Sequence, residues 1–357
     1  MAATLYALLI GINKYPNVPH LQGCVADVLE MAQYLQSNFS GMNPQIKVLT
    51  DIEATRQQII NQFRKHLGQA QAGDTVYFHF SGHGSRENAP EEFWPFYPEK
   101  KNETLVCFDS RLEGGMDLAD KELAVLLHEL SQNECRILVC LDCCHSGSGT
   151  RNTLKLANKR QTEKEGNTRK IGDYLEGYYE KMLKDTESIT IPLAPHLVFS
   201  ACRSTEVAWE TSEQRGLFSN ELLRVLKSDT IGLSYAEIFE RTRAAVRMSG
   251  AQEPQFSFYG DVNPYEVFLN KNQLHVPKLF SLFYEQGHWK CQSGALQGMP
   301  TETKEVMRFA IFPEGLHEPQ GKDQLTELKV MQVKKDGTLF YTPQDSPLDV
   351  SKTYAGL

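Results

Sequence analysis

The sequence predicts an α/β protein with a mostly parallel sheet, followed by a small β-rich module. Three observations carry that expectation. Short apolar runs alternate with segments of helical apolar spacing over the first 270 residues, the pattern of right-handed βαβ units. Arg136–Cys143 (RILVCLDC) is nearly continuous in apolar residues, as parallel strands covered on both faces are. From about residue 275 the helical spacing gives way to alternating stretches, HWKCQSGAL, VMRFAIF, LTELKVMQV and GTLFYT, which read as strands. The expected domains are therefore 1–272 and 275–357.

Thr4–Ile10 is a short apolar run closed by the turn residues Gly11–Pro16 (GINKYP), and is the first strand. Cys24–Leu35 carries Val25, Val28, Leu29, Met31, Ala32 and Leu35 at helical spacing. Ile46–Leu49 is a second strand, and Ala54–Leu67 a helix with Ile59, Ile60, Phe63 and Leu67 on one face. Asp74–Phe80 (DTVYFHF) is a third strand, ended by Gly82 and Gly84. Leu105–Phe108 reads as a short edge strand, and Asp120–Leu130 as a helix with Leu123, Leu126, Leu127 and Leu130 inward. After the strand at Arg136, His196–Ala201 (HLVFSA) is another, then helices near Leu217–Leu226 and Tyr235–Val246, and a last strand at Gln255–Tyr259. Residues 150–190 break the alternation with a long polar connection rich in Lys and Arg; long connections are usually functional.

Apolar residues make up 41% of the chain and charged residues 23%, which allows a packed core and argues against disorder. The net charge of −8 argues against nucleic acid as a partner, because phosphate binding needs a basic surface. Cysteines stand at 24, 107, 135, 140, 143, 144, 202 and 291, without the spacing of a secreted disulfide scaffold. Cys140 and Cys143 form a CxxC within one apolar strand, where the two side chains point to opposite faces, so no redox or metal pair is read there. The apolar N-terminus has no basic stretch and no cleavage site, and no run reaches transmembrane length. The expectation is a cytoplasmic protein with free thiols and no membrane association.

Open parallel sheets place their sites beyond the carboxyl ends of the strands, and two such ends here carry chemistry. One reads Phe80-Ser81-Gly82-His83-Gly84-Ser85, the other Asp142-Cys143-Cys144-His145-Ser146-Gly147. On neighbouring strands His83 and Cys144 would face each other, the imidazole taking the thiol proton so that the thiolate attacks. The backbone N–H groups of Gly84 and Cys144 are the natural oxyanion donors. Alternation along the strand puts Asp142 with Cys144 and sends Cys143 into the core; it also puts Ser81 beside His83. An aspartate and a serine beside the pair would form a pocket for a cationic side chain, Arg fitting a carboxylate better than Lys.

Plainer roles stand beside these. His83 alone would be an ordinary core histidine, as His79 is expected to be, and His145 points away from its neighbour. Cysteine and histidine could hold zinc, but their spacing fits no known ligand pattern. Asp142 could cap the helix that follows it, and Asp27 could be a surface acid at a helix start. Glu206, Trp209 and Glu210 (ACRSTEVAWE) could rim the cleft.

The elements YALLIGINKY, LQGCVADV, VYFHFSGHGS and LVCLDCCHSG resemble those of the metacaspases and their prokaryotic relatives, the orthocaspases. The resemblance spans roughly the first 270 residues and leaves out the β-rich tail. It implies a caspase-like (caspase-hemoglobinase) fold with a six-stranded sheet, a Cys144–His83 dyad, and cleavage after basic residues with Asp27, Ser81 and Asp142 lining the pocket. It also implies a monomer. Such proteins often bind calcium through an acidic cluster, which Asp109 and Asp120 resemble in part. Lys121 and Arg151 stand where further acids are common, so no cofactor is expected. Substrates would be proteins or peptides with Arg or Lys, cut by a thiol endopeptidase. The basic connection offers Arg151, Lys155, Lys159, Arg160, Lys164, Arg169 and Lys170 for autoprocessing of a zymogen whose loop covers the crevice. Competing expectations are a non-catalytic adaptor on the same fold, a legumain- or gingipain-like peptidase, and a tail that binds a regulator.

Overall fold

Strands β1 (Leu5–Gly11), β2 (Gln45–Thr50), β3 (Thr75–Ser81), β4 (Arg136–Asp142), β5 (His196–Ser200) and β6 (Gln255–Tyr259) form one sheet in the order β6-β5-β4-β3-β1-β2. All neighbours are parallel except β6, which runs antiparallel to β5. In β1 (LYALLIG) and β3 (TVYFHFS) nearly every residue is buried, as strands covered on both faces require. The computed structural model describes the chain apart from residues 1–2, 97, 144–155, 161, 163–168, 204–205, 229–231, 250–251, 270–279, 292–306, 315–320, 335–336, 344–345 and 357.

Among the described residues, six α-helices cover the sheet. They are α1 (Cys24–Asn38), α2 (Arg56–Lys65), α3 (Asp120–Ser131), α4 (Tyr178–Thr186), α5 (Leu217–Lys227) and α6 (Tyr235–Arg247). Alternation along the strands splits the core in two. Leu8, Ile10, Phe78 and Val139 meet Ile60 of α2, Leu126 of α3 and Tyr179 of α4. Leu9, Tyr77, Leu138 and Phe199 meet Met31 of α1, Leu222 of α5 and Ile238 of α6. Among the described residues no helix is long and apolar enough to cross a membrane.

The edge strand expected over Leu105–Phe108 lies elsewhere. Lys101–Leu105 pairs with Gly84–Asn88 and with Leu118–Ala119 in a separate three-stranded antiparallel sheet. The polar sequence KNETL buries Asn102, Thr104 and Leu105, so an apolar-run criterion passes over it; Val106 and Cys107 are buried in the loop that follows. The 150–190 connection is not a bare linker either. It contains the strand Leu156–Lys159 and helix α4, and it sends Arg160 and Arg169 into the interior.

The chain divides into two units, Met1–Lys271 and Asn272–Leu357. The second is a closed antiparallel barrel of Phe280–Glu285, His288–Cys291, Thr338–Phe340, Thr326–Val333, Arg308–Pro313 and Tyr354–Gly356, in that spatial order. Leu282, Trp289, Ile311, Leu328 and Phe340 fill it.

Candidate active site

β3 and β4 are adjacent and in register, with Ser81 opposite Asp142. The two strand ends singled out in the sequence therefore lie side by side. Beyond β3, His83 is buried. Its backbone N–H donates to the Tyr15 hydroxyl at 2.9 Å, and the Tyr15 ring lies 4.9 Å from the imidazole. Its Nε2 is 2.8 Å from the Pro19 carbonyl oxygen. That carbonyl can only accept, so it fixes the proton on Nε2 and leaves Nδ1 as the basic nitrogen. Nδ1 is buried with no hydrogen-bond partner among the described residues. Burial pushes the imidazole down to about 4; the Pro19 carbonyl opposes this, and the nearby Arg160 cation adds to it. His83 is thus a neutral imidazole at pH 7. Gly82 makes the close approach possible, since a Cβ there would stand 2.5 Å from the Tyr15 hydroxyl.

Beyond β4, Cys143 is buried in the core on the α2–α3 face, as strand parity predicts. Cys144 and His145 lie outside the described residues. His79 is a core residue, bonded to the Tyr77 hydroxyl at 3.1 Å and to Ser219 Oγ at 3.3 Å.

Asp27, Ser81 and Asp142 come together on the α1–α5 side, all fully buried, around the equally buried guanidinium of Arg160. Nη1 donates to Ser81 Oγ at 2.7 Å and pairs with Asp142 Oδ2 at 2.9 Å. Nη2 donates to Asp27 Oδ2 at 2.8 Å and lies 3.4 Å from Glu210 Oε1. Glu210 is thus a third carboxylate of the pocket. The sequence placed it only at the rim; its depth comes from the pairing of Trp209–Thr211 with Leu156–Lys159. Glu210 also accepts the N–H of Gln22 and of Gly23 at the start of α1. Asp142 additionally accepts the Ser219 N–H at 3.0 Å in the first turn of α5, a helix 77 positions further along the chain; the segment after Cys143, where the cap was expected, lies outside the described residues. Glu206 is elsewhere, accepting the backbone N–H of Arg203 and of Glu253.

Two further residues had no signal in the sequence. Arg215 Nε stands 3.1 Å from Asp27 Oδ1 and supplies a second cation. At Gly216 a Cβ would come within 2.4 Å of Asp142 Oδ2 and 2.6 Å of Arg160 Nη1, so only glycine leaves the pocket open. Burial raises the Asp27 carboxyl to about 6, against the pull of Arg160 and with the help of Asp142. Burial also raises the Cys24 thiol well above its usual range, keeping it protonated beside Glu210.

The main chain at Arg160 is bonded as well. The Arg160 carbonyl accepts the Gly84 N–H at 3.2 Å, the Arg160 N–H donates to the Ala208 carbonyl at 2.9 Å, and the Thr162 N–H donates to the Gly84 carbonyl at 3.1 Å. Leu156–Lys159 runs antiparallel to Trp209–Thr211. The segment around Arg160 thus lies as an added strand with its side chain in an acidic pocket.

The other basic positions of the connection differ. Arg169 is buried in a second acidic nest, 2.9 Å from Glu122 and 3.4 Å from Glu87, with its guanidinium 4.0 Å over the Tyr174 ring. Lys170 is exposed, and Lys159 ends the strand Leu156–Lys159. Arg151, Lys155 and Lys164 lie outside the described residues. Of the two calcium candidates, Asp109 accepts the Arg56 N–H at 2.9 Å and Asp120 pairs with the buried Lys121 ammonium. Among the described residues no group of three or more His, Cys, Asp or Glu is arranged to hold a metal ion.

Residues 4–260 match the family described as Caspase domain, Peptidase_C14, and the chain belongs to that family of caspase-like proteins. Its curated relatives are metacaspases. It is similar to Metacaspase-1 of Schizosaccharomyces pombe, 24% identical over 70% of this chain and 66% of the relative. It is similar to Metacaspase-5 of Trypanosoma cruzi, 27% identical over 73% of this chain and 59% of the relative. The chain thus spans somewhat under two thirds of the length of each. A crystal structure of a protein from Geobacter sulfurreducens shares the fold with a TM-score of 0.52, at 22% identity, over 74% of this chain and 96% of the other.

Proposed function

We propose that this chain is a cysteine endopeptidase that cuts after arginine, and less readily after lysine, and that its first cut is in itself between Arg160 and Gln161. The observation that carries the reading is the docking of Arg160. Its guanidinium fills a pocket of three carboxylates while its carbonyl accepts the Gly84 N–H. That is the arrangement of a substrate whose carbonyl is about to become an oxyanion. An adaptor has no use for a carbonyl seated in this way.

Cys144 attacks the Arg160 carbonyl carbon as thiolate, its proton passing to Nδ1 of His83. The oxyanion is held by the N–H groups of Gly84 and Cys144. Collapse breaks the Arg160–Gln161 bond, and His83 returns the proton to the departing amine. Water then attacks the thioester, losing a proton to His83, and releases the Arg160 carboxylate and the thiol. Lysine is the poorer fit because an ammonium presents one point of charge to a pocket that pairs two guanidinium nitrogens with separate carboxylates. The reading includes no calcium requirement, supported by Lys121 standing on Asp120. Cys24, Cys107, Cys135 and Cys140 are buried as free thiols, which supports a reducing, cytoplasmic setting.

The test is a panel of fluorogenic peptides with Arg, Lys, Asp or Asn at the cleaved position, run with calcium and with chelator. Arg should lead, Lys should follow, and chelator should change little. Cys144→Ala should lose activity by about a thousandfold or more, while Cys143→Ala keeps it. Dominant cleavage after Asp, or activity surviving in Cys144→Ala and lost in Cys143→Ala, overturns the assignment.

A further inference from the structure

Gly84 uses both of its backbone groups on the segment that carries Arg160. Its N–H donates to the Arg160 carbonyl at 3.2 Å, and its carbonyl accepts the Thr162 N–H at 3.1 Å. Gly84 pairs with Leu105 in an antiparallel ladder, and the neighbouring bond runs from the Val106 N–H to the His83 carbonyl at 3.0 Å. Residues of such a ladder alternate between bonding the partner strand and turning both groups outward. Gly84 is an outward-turned residue at a strand edge, so one donor and one acceptor are offered together to an incoming chain. Resting on the endopeptidase reading above, we propose that Gly84 is also a specificity determinant on the leaving side of the cut. It accepts the N–H of the second residue after the cleaved bond, and so selects extended polypeptide that reaches at least that residue.

Two bonds from one strand-paired residue bracket the scissile peptide. The first polarises the carbonyl, and the second stops the departing part of the substrate from swinging out of line with the nucleophile. The requirement is a backbone N–H, independent of side chain. Proline at the second position after the cut cannot meet it, and neither can an ester linkage there.

The test uses the full chain and internally quenched peptides built on Leu-Ala-Asn-Lys-Arg-Gln. One peptide continues with alanine. Its twin carries lactic acid in place of that alanine, replacing one N–H by oxygen with almost no change in shape. A third has the ester one residue further on. Mass spectrometry confirms the cut after Arg. Loss of one such hydrogen bond, worth about 1.4 kcal/mol, predicts kcat/KM about tenfold lower for the lactic-acid twin, with the third peptide within about twofold of the first. Equal kcat/KM for the first two, both cut after Arg, overturns the role of the Gly84 carbonyl and leaves the arginine specificity standing. If none of the three is cut after Arg, the endopeptidase reading falls and this inference with it.

Discussion

Asp27 and His83 are both buried, and burial moves their pKa values in opposite directions. The Asp27 carboxyl is raised to about 6, so the folded chain binds that proton more tightly than the unfolded chain does. Its contribution to stability grows as pH falls from about 6 towards the ordinary aspartate value, and it is a cost at neutral pH. The His83 imidazole is lowered to about 4, so its contribution is complete above the ordinary histidine value and is lost as pH falls towards 4. For function the first shift matters more. On the proposed reading protons compete with the substrate guanidinium for Asp27; the value of about 6 is that of a pocket holding a guanidinium, which lowers it, so KM for arginine peptides should climb as pH falls towards about 6 and level off below it. The limiting slope is about tenfold per pH unit. Asp27→Asn should bind arginine more weakly and flatten that dependence. A pH series of KM on both proteins checks it; a wild-type KM that is level from pH 7 to 5 would show that Asp27 does not hold the substrate's charge.

At the scale of elements, the strand Leu156–Lys159 makes the connection informative. Composition marked seven basic residues as candidates. Pairing with Trp209–Thr211 sets Arg160 over the pocket, and a second nest takes Arg169 out of reach. On the proposed reading, the docked Arg160 occupies the pocket that an incoming arginine needs. Wild-type chain should therefore show a lag in peptide hydrolysis that ends as the Arg160–Gln161 bond is cut. Arg160→Gln should not be cut at that bond and should hydrolyse arginine peptides without the lag. The same change takes the shared guanidinium away from three buried carboxylates, with Arg215 still on Asp27. Unless water enters, the cost is about 3–5 kcal/mol, so its melting temperature should fall. Fragment sequencing beside progress curves decides the matter. Arg160→Gln that shows the wild-type lag would separate the docked segment from control of the site.

For the whole molecule, the two cores divide the labour. The sheet and its helices close around Leu8, Phe78 and Leu126 on one face and Leu9, Met31 and Phe199 on the other. The barrel closes around Trp289 and Leu328 by itself. All residues of the acidic pocket belong to Met1–Lys271. A chain ended at Lys271 should fold with an α/β circular dichroism spectrum, melt cooperatively and still cut arginine peptides, because a domain with its own core carries its own stability. A non-cooperative melt or an unfolded spectrum would show that the first unit depends on the barrel.

The run RILVCLDC, the glycines around His83 and the alternation of strand parity are local properties of the chain. They determined the parallel strands, the two loaded strand ends, and the shared side of Ser81 with His83 and of Asp142 with Cys144, because local periodicity dictates which face a side chain takes; Asp27 entered the pocket only through the family resemblance. The barrel was legible as four of its strands; FSLFYE and YAG are too short or too mixed in pattern to announce themselves. Only the tertiary structure decided that Glu210 joins the pocket, that Arg215 and Gly216 shape it, that Tyr15 and Pro19 orient the imidazole, and that Arg160 fills the pocket rather than its basic neighbours. Those contacts join residues up to 189 positions apart in the chain. No periodicity carries information over such a span; the packing of α1, α5 and the added strand against the sheet supplies it.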